Sequence, residues 1–265
     1  MLVEQTLFGV VDKVADSIQL LRDNEPTEGY YVCFSGGKDS VVTLDLVKRA
    51  GVKYDAHCNI TGVEPPGLLK FIRRNYPHIH FEYPSLSMFQ LIVKYKIPPL
   101  RQVRYCCRVL KERGGESRIK VTGVRSEESP RRAKRPIVDF DNKSGTSGFV
   151  HVIKHWSTAD VWGYIHQHQL PYFKLYDEGF TRVGCVLCPY QSADVALLDL
   201  ERFPTIANYY RQACRKSFEV NPDLAKRFTS GDDLFDWWIQ GRKRHQVVAD
   251  CNSIPLFSED DGSSL

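Results

Sequence analysis

Two sets of residues carry the types and spacing that chemistry needs. The first is "SGGKDS", residues 35 to 40. Gly36 and Gly37 sit where a backbone must turn sharply and approach a ligand closely. The first amides of a following helix would point at that ligand, and the helix dipole favours negative charge. Lys38 adds a mobile cation, and Ser35 and Ser40 add hydroxyl donors. Asp39 suits a phosphate site only if it helps to hold a divalent cation or orients the loop. The spacing is not that of the common phosphate loop. The second set is four of the eight cysteines, paired as Cys106 and Cys107 in "YCCR" and as Cys185 and Cys188 in "GCVLC". The pattern is CC, then 77 residues, then CxxC. A CxxC lets two thiolates meet one centre from a tight turn, which Gly184 would permit. Four thiolates can hold zinc or an iron–sulfur cluster. Adjacent cysteines are awkward as two ligands of one zinc ion, which favours the larger cluster. A redox pair and plain core cysteines remain alternatives.

Other charged and sulfur-bearing residues have weaker claims. Cys33 and Cys58 fall in expected strands and read as core, and Cys214 and Cys251 carry no assigned chemistry. "GVRSEESPRRAKRP" holds Arg125, Arg131, Arg132, Lys134 and Arg135, with Arg108 and Lys111 beside the first cysteine pair. Guanidinium groups grip phosphate or sulfate oxygens in a fork. "RKRH" (242 to 245), with Trp237, Trp238, Arg211, Arg215 and Lys216, reads as either a nucleic-acid surface or a core helix with solvated charges, the latter being the commoner case. His166 and His168 fall on a helix surface and form no ligand pattern.

The elements that must position these groups follow from periodicity. Leu7, Val10, Val11, Val14, Ile18 and Leu21 recur at helical spacing and predict one amphipathic N-terminal helix. "YYVCF" is a buried strand leading into the glycine turn and a helix over Val41 to Val47. "VKYDAHCNI", "IHFEYP" and "RIKVTGV" predict three further strands, separated by helices in "LLKFIRRNY" and "SMFQLIVKY". This alternation predicts a doubly wound, mostly parallel sheet with helices on both faces. In such sheets ligands bind beyond the carboxyl ends of the strands, where strand order reverses. "SGGKDS", "NITGVEPP" and "TGVRSEES" all fall at those ends. After a polar link, "DNKSGTSG", come an edge strand in "FVHVIKHW" and a helix in "STADVWGYIHQHQ" capped by Ser157 or Thr158. The remainder is helical, giving an expected division into residues 1–190 and a helical extension, 191–265.

Composition sets few limits. Hydrophobic content of 42%, charged content of 26% and a formal charge of +4 fit a globular chain that neither demands nor excludes a polyanionic partner. The N-terminal stretch is broken by Glu4, Asp12, Lys13 and Asp16, unlike a secretion signal. No segment is long and apolar enough to cross a membrane. A cytoplasmic, reducing compartment is therefore expected, without a disulfide framework.

Over residues 28 to 192 the chain resembles the phosphoadenylyl-sulfate reductase family of the adenine-nucleotide alpha-hydrolase superfamily. The carriers are "SGGKDS", "CCR…K" at 106 to 111, "TGVRSEESPRRA" at 122 to 133, and "HWSTADVWGYIHQHQLPYFKLYDEGFTRVGCVLCP" at 155 to 189. The resemblance implies that Ser35, Gly36, Gly37, Lys38, Asp39, Ser40 and Gly123 grip an adenine nucleotide. It implies that Arg125 meets the nucleotide's anionic groups, and that Cys106, Cys107, Cys185 and Cys188 ligate a [4Fe–4S] cluster beside that site. The chain departs from the reductases in two ways. Their late glutamate–cysteine–glycine element is missing, since Cys251 stands in "ADCNSIP", and helices continue past the CxxC. A second branch keeps the loop and the cysteines but cleaves ATP, as in the ATP pyrophosphatase of DNA phosphorothioation systems. The intact loop points to that branch: ATP with Mg2+, cleavage to AMP and pyrophosphate, and adenylylation of an acceptor for sulfur incorporation. In this reading Lys38, Asp39 and Arg125 are catalytic. The implied partners are a cysteine desulfurase or other sulfur donor and a nucleic acid, DNA ahead of tRNA for thiolation. The alternatives are reduction of an adenylyl sulfate to sulfite and a non-catalytic ATP-binding subunit.

Overall fold

A computed structural model describes residues 2–6, 9–140 and 147–241. Its contacts divide the chain into two units, and neither is continuous in sequence. Unit 1 takes residues 1–60, 64–83 and 112–184, and unit 2 takes residues 61–63, 84–111 and 185 onward. The contacts therefore do not divide at residue 190. A linear reading misses this because the stretch 84–111 finds its partners among the C-terminal helices.

Unit 1 begins with strands β1 (Val3–Thr6) and β2 (Gly9–Asp12), paired antiparallel. The helix expected from Leu7 instead starts as α1 at Lys13 and runs to Asp23. The reason is local. Asp12 is extended, and its carboxylate accepts from Val14 N at 2.9 Å and Ala15 N at 3.0 Å, which makes it an N-cap. Val10, placed on that helix by its spacing, lies in the hairpin and is 64% exposed. Leu7 lies outside the described residues.

The central sheet has six strands: β3 (Tyr30–Cys33), β4 (Tyr54–Asn59), β5 (His80–Glu82), β6 (Ile119–Thr122), β7 (Val138–Phe140) and β8 (Gly148–His151). Their order is β5-β4-β3-β6-β8-β7, and every pair is parallel except β7 with β8. Strand order reverses between β3 and β6, the crevice where such sheets hold ligands. "FVHVIKHW" supplies β8, which lies inside the sheet. The edge belongs to β7, too short to announce itself by alternation.

One sheet face is apolar, with Tyr30, Val32, Ala56, Val121 and Val150 all buried. Tyr30 donates to Leu21 O of α1 at 2.8 Å, which places α1 on that side. Helices α2 (Lys38–Ala50), α3 (Leu68–Asn75), α5 (Pro130–Ala133) and α6 (Thr158–Gln167) complete unit 1. α6 carries a capping box between Ser157 and Asp160. Asp160 also accepts from Lys13 Nζ at 2.8 Å, tying α6 to the start of α1. The opposite sheet face carries Asp55, His57, Tyr31, Lys120, Thr122, Phe149 and His151 by strand register. Tyr31 stacks on His57 with ring centroids 4.1 Å apart.

Unit 2 contains α4 (Met88–Lys94), α7 (Ala193–Arg202), α8 (Pro204–Val220) and α9 (Gly231–Gln240), the expected helical C-terminal part. Phe89 of α4 packs edge-on to Tyr210 of α8, 5.3 Å between centroids. Trp238 of α9 is buried, and its indole N–H donates to Pro99 O at 2.8 Å. Of the residues considered for a basic–aromatic surface, two of the arginines have carboxylate partners. Arg211 pairs with Asp232 and Asp236, and Arg215 with Asp232, while Trp237 is half-buried against Phe228. Residues 242–245 and Cys251 lie outside the described residues, as does most of "DNKSGTSG". No helix among the described residues is long and apolar enough to cross a membrane.

Candidate active site

The "SGGKDS" loop leaves β3 at the reversal point of the sheet, and α2 begins at Lys38 with Gly37 as N-cap. Only Gly36 needs to be glycine on geometric grounds. Its φ is +74°, and a Cβ there would come within 2.9 Å of Ile72 Cδ1. Gly37 is extended, with φ −77°, and a Cβ would meet only ordinary contacts at 3.5 Å and beyond. Ser40 Oγ donates to Gly37 O at 2.8 Å and accepts from Ser35 N at 3.2 Å, closing the loop on itself.

The donors that would face an anion are engaged by unit 1 itself. The first helical amide, Lys38 N, donates to the Tyr176 hydroxyl at 2.9 Å. Lys38 is buried, and its ammonium reaches Thr181 O at 3.3 Å and Asp39 Oδ2 at 3.2 Å. It stands 5.7 Å from the Tyr176 ring centroid. The Tyr176 oxygen thus occupies a position that a phosphate oxygen would take at a helix N-terminus. Burial pushes its phenol up to about 12, so it stays a neutral hydroxyl. Tyr176 and Thr181 fall in "YFKLYDEGFTRVG", where sequence reasoning assigned no role. A tyrosine three residues after a phenylalanine gives no chemical signal of its own.

Arg125, expected at the nucleotide's anionic groups, is held by protein groups of unit 1 in this structure. It is 3% exposed, and four hydrogen bonds hold its guanidinium. Nε donates to Asp39 Oδ1 at 2.6 Å, Nη1 to Glu127 Oε2 at 2.7 Å and Trp156 O at 3.2 Å, and Nη2 to Thr158 Oγ1 at 3.2 Å. Burial works against its charge, but Asp39 and Glu127 more than offset this and raise its pKa. Glu127 also accepts from Thr158 N at 2.7 Å, joining the "RSEES" turn to the start of α6. The oddity of Asp39 beside phosphate is thereby resolved. Its carboxylate bridges Lys38 and Arg125 and orients the first turn of α2. Gly123 likewise has a packing role in this structure. A Cβ there would come within 2.9 Å of both Asp39 O and Thr43 Oγ1, so glycine lets β6 end against α2.

The four paired cysteines all belong to unit 2. Cys107–Lys111 forms a single π-helical turn, a local widening often found at functional positions. Within the CxxC the left-handed residue is Leu187, φ +55°, not Gly184. Leu187 N donates to Asp199 Oδ2 at 2.7 Å, so a buried carboxylate of α7 holds the turn. A hydrogen bond with Cys107 and then burial raise the Cys106 thiol, and Cys107, Cys185 and Cys188 raise it further. Lys111 is raised chiefly by Cys185, against the effect of burial, and Thr61 Oγ1 lies 3.4 Å from Cys185 Sγ. The donor set is all thiol, with a cation beside it to offset charge, and this fits a thiolate-ligated iron–sulfur group. As they stand the side chains do not close on one point: among the described residues no three His, Cys, Asp or Glu side chains are arranged to hold a metal ion. Cys58 and Cys214 are buried and Cys33 is half-buried. Burial pushes Cys33 up to about 11 and Cys214 up to about 12, so neither is a ready nucleophile.

A profile of the phosphoadenosine phosphosulfate reductase domain matches residues 29–191, more than half of the chain. The chain belongs to that family. Among its reductase-family relatives, adenosine 5'-phosphosulfate reductase 2 of Bacillus subtilis is 29% identical over 205 residues, covering 70% of this chain and 84% of that one. An uncharacterised protein of Methanocaldococcus jannaschii is 32% identical over 171 residues, 60% of this chain; the chain matches only 35% of that protein's length. A solved phosphoadenylyl-sulfate reductase from Candida auris aligns with a TM-score of 0.49 at 19% identity, covering 64% of this chain and 88% of its own. The reductase-domain match spans the "SGGKDS" loop, the "RSEES" turn and both cysteine pairs.

Proposed function

We propose that this chain is a nucleotide-dependent enzyme of sulfur chemistry that holds an adenine nucleotide at residues 35–40. The observation that carries the proposal is the convergence at the sheet's reversal point. Helix amide, buried Lys38 and the Asp39–Arg125 pair all meet where a family of sulfonucleotide enzymes has its domain match. Entry of a phosphate would displace the Tyr176 hydroxyl from Lys38 N. It would give the Lys38 ammonium an oxyanion in place of Thr181 O. Gly36 lets the backbone come close, and Asp39, fixed by Arg125, keeps Lys38 oriented. Cys106, Cys107, Cys185 and Cys188 would hold a [4Fe–4S] cluster, which supplies a charged, redox-active centre when bound.

The reaction favoured by the relatives' names is reduction of an adenylyl sulfate to sulfite and AMP, with two electrons from a dithiol reductant. One observation favours a second reaction, cleavage of ATP with Mg2+ to AMP and pyrophosphate to activate an acceptor for sulfur insertion. That observation is the intact "SGGKDS" loop, with Lys38 buried beside the first helical amide. In that reaction a cysteine desulfurase or similar donor supplies sulfur, and the acceptor is a nucleic acid, DNA ahead of tRNA. One assay separates the readings. Anaerobically purified protein is given adenylyl sulfate with thioredoxin, or ATP with magnesium, and sulfite and pyrophosphate are measured. Sulfite supports reduction and pyrophosphate alone supports ATP cleavage. Nucleotide binding with neither product leaves a non-catalytic ATP-binding subunit, and no nucleotide binding overturns the proposal.

A further inference from the structure

The two glutamates of "RSEES" have different partners. Glu128 closes the turn on itself, since its Oε2 accepts from Arg125 N at 3.0 Å. Glu127 reaches out of the turn. Its Oε2 accepts from Arg125 Nη1 at 2.7 Å, from Thr158 N at 2.7 Å and from Thr158 Oγ1 at 3.1 Å. Thr158 Oγ1 accepts in turn from Arg125 Nη2 at 3.2 Å. Arg125, Thr158 and Glu127 therefore form a closed ring of hydrogen bonds. Thr158 opens α6, but that helix has a cap of its own: Ser157 Oγ accepts from Asp160 N at 3.1 Å.

The ring matters because of what the rest of the guanidinium holds. Nε donates to Asp39 Oδ1 at 2.6 Å, while Asp39 Oδ2 lies 3.2 Å from the Lys38 ammonium. Charge alternates along this path, from Lys38 through Asp39 and Arg125 to Glu127, and the path ends on the positive end of α6. A planar fork held on two edges cannot turn in its plane. Asp39 therefore has one place to meet it, and the Lys38 ammonium one place to meet Asp39. The Thr158 amide and then Arg125 hold the Glu127 carboxyl below the usual carboxylate range, so it is an anion at neutral pH.

An acid in the charge network of a loop that takes an anionic ligand works against binding, because its charge repels the ligand. Glu127 would be a liability there unless its carboxylate had another use. We propose that Glu127 and Thr158 are positioning residues for the chemistry at residues 35–40: they fix Arg125, and through Asp39 they place the Lys38 ammonium against the nucleotide's oxygens. This role rests on the nucleotide reading of the loop, and neither residue needs to touch the nucleotide.

Steady-state kinetics of the full chain, with adenylyl sulfate and thioredoxin or with ATP and magnesium, tests this through Glu127→Gln and Thr158→Val. Positioning predicts that kcat and kcat/KM fall together, about tenfold in each variant. Thr158→Ser, which keeps the hydroxyl, should recover most of that loss. The Arg125 Nε–H signal, followed by nitrogen-15 NMR, should broaden in Glu127→Gln and Thr158→Val through faster exchange with water, and sharpen again in Thr158→Ser. A lower KM with kcat unchanged would make Glu127 a plain charge. A lower melting temperature with both constants unchanged would make it a plain helix cap. Either result overturns the proposal, and so does an Arg125 signal unaltered in both variants. Lys38→Ala, assayed beside them, tells two failures apart. If it abolishes turnover while the other variants leave kcat intact, only the positioning role falls. If it leaves turnover intact, or the parent chain forms no product, the loop's part in the reaction falls and the positioning role with it.

Discussion

At the scale of single residues, the site turns on which oxygen the first amide of α2 meets. Tyr176 supplies it now, so Tyr176→Phe removes a competitor worth about 1 kcal/mol. Nucleotide affinity measured by calorimetry should then rise about fivefold; weaker binding would show instead that the hydroxyl contacts the nucleotide. Lys38→Ala should lower product formation about a hundredfold or more, as expected when a preorganised cation is lost, and unchanged rates would remove the loop from the reaction. Lys38, Asp39, Ser35 and Ser40 were legible because their side chains announce their chemistry beside a glycine turn. Tyr176 and Thr181 were not, since they act through one hydroxyl and one backbone carbonyl from a segment more than a hundred positions away. Arg125 was legible as important, but its partner was not. Only the fold shows that Asp39, Glu127, Trp156 and Thr158 hold its guanidinium.

At the scale of elements, close approach matters more than charge. Gly123→Ala would press a methyl on the Asp39 carbonyl and Thr43 hydroxyl, each 2.9 Å away. It should tilt the first turn of α2 and raise the nucleotide KM more than it lowers the melting temperature. The converse, a large stability loss with KM unchanged, would make the contact purely structural. In unit 2, Asp199 holds the CxxC turn through Leu187 N and also accepts from Gln191 Nε2 at 2.9 Å. Asp199→Ala should therefore cut iron and acid-labile sulfide per chain in anaerobic preparations, and undiminished loading would show that the turn needs no such support. The parallel strands and the α6 cap could be read from hydrophobic runs and from the Ser–x–x–Asp spacing. The hairpin at residues 3–12 could not. Its apolar residues happen to fall at helical intervals, and the deciding signal was one aspartate with the geometry of an N-cap.

At the scale of the whole molecule, acid sensitivity should report the buried polar face. His151 has a folded pKa of about 4, below its ordinary value near 6.5, so the unfolded chain binds the extra proton. Stability is full above pH 6.5 and falls as pH drops toward 4, by about 2 kcal/mol at pH 5 from this group alone. Urea midpoints at pH 7 and pH 5 should therefore converge in His151→Gln relative to the parent, and equal gaps in both would deny the effect. The parallel α/β core was legible because it is built from neighbouring stretches. The two-unit division was not, because residues 84–111 pack with helices encoded far downstream. That arrangement has a consequence during synthesis. Unit 1 is complete in the nascent chain once residue 184 has emerged, whereas unit 2 still awaits α7, α8 and α9. At about 5–20 residues per second, Cys107 leaves the ribosome roughly 4 to 16 s before Cys188. Through that interval the first pair of thiols has no second pair to join it. Loading of the cluster proposed for these cysteines would therefore wait until Cys188 has emerged.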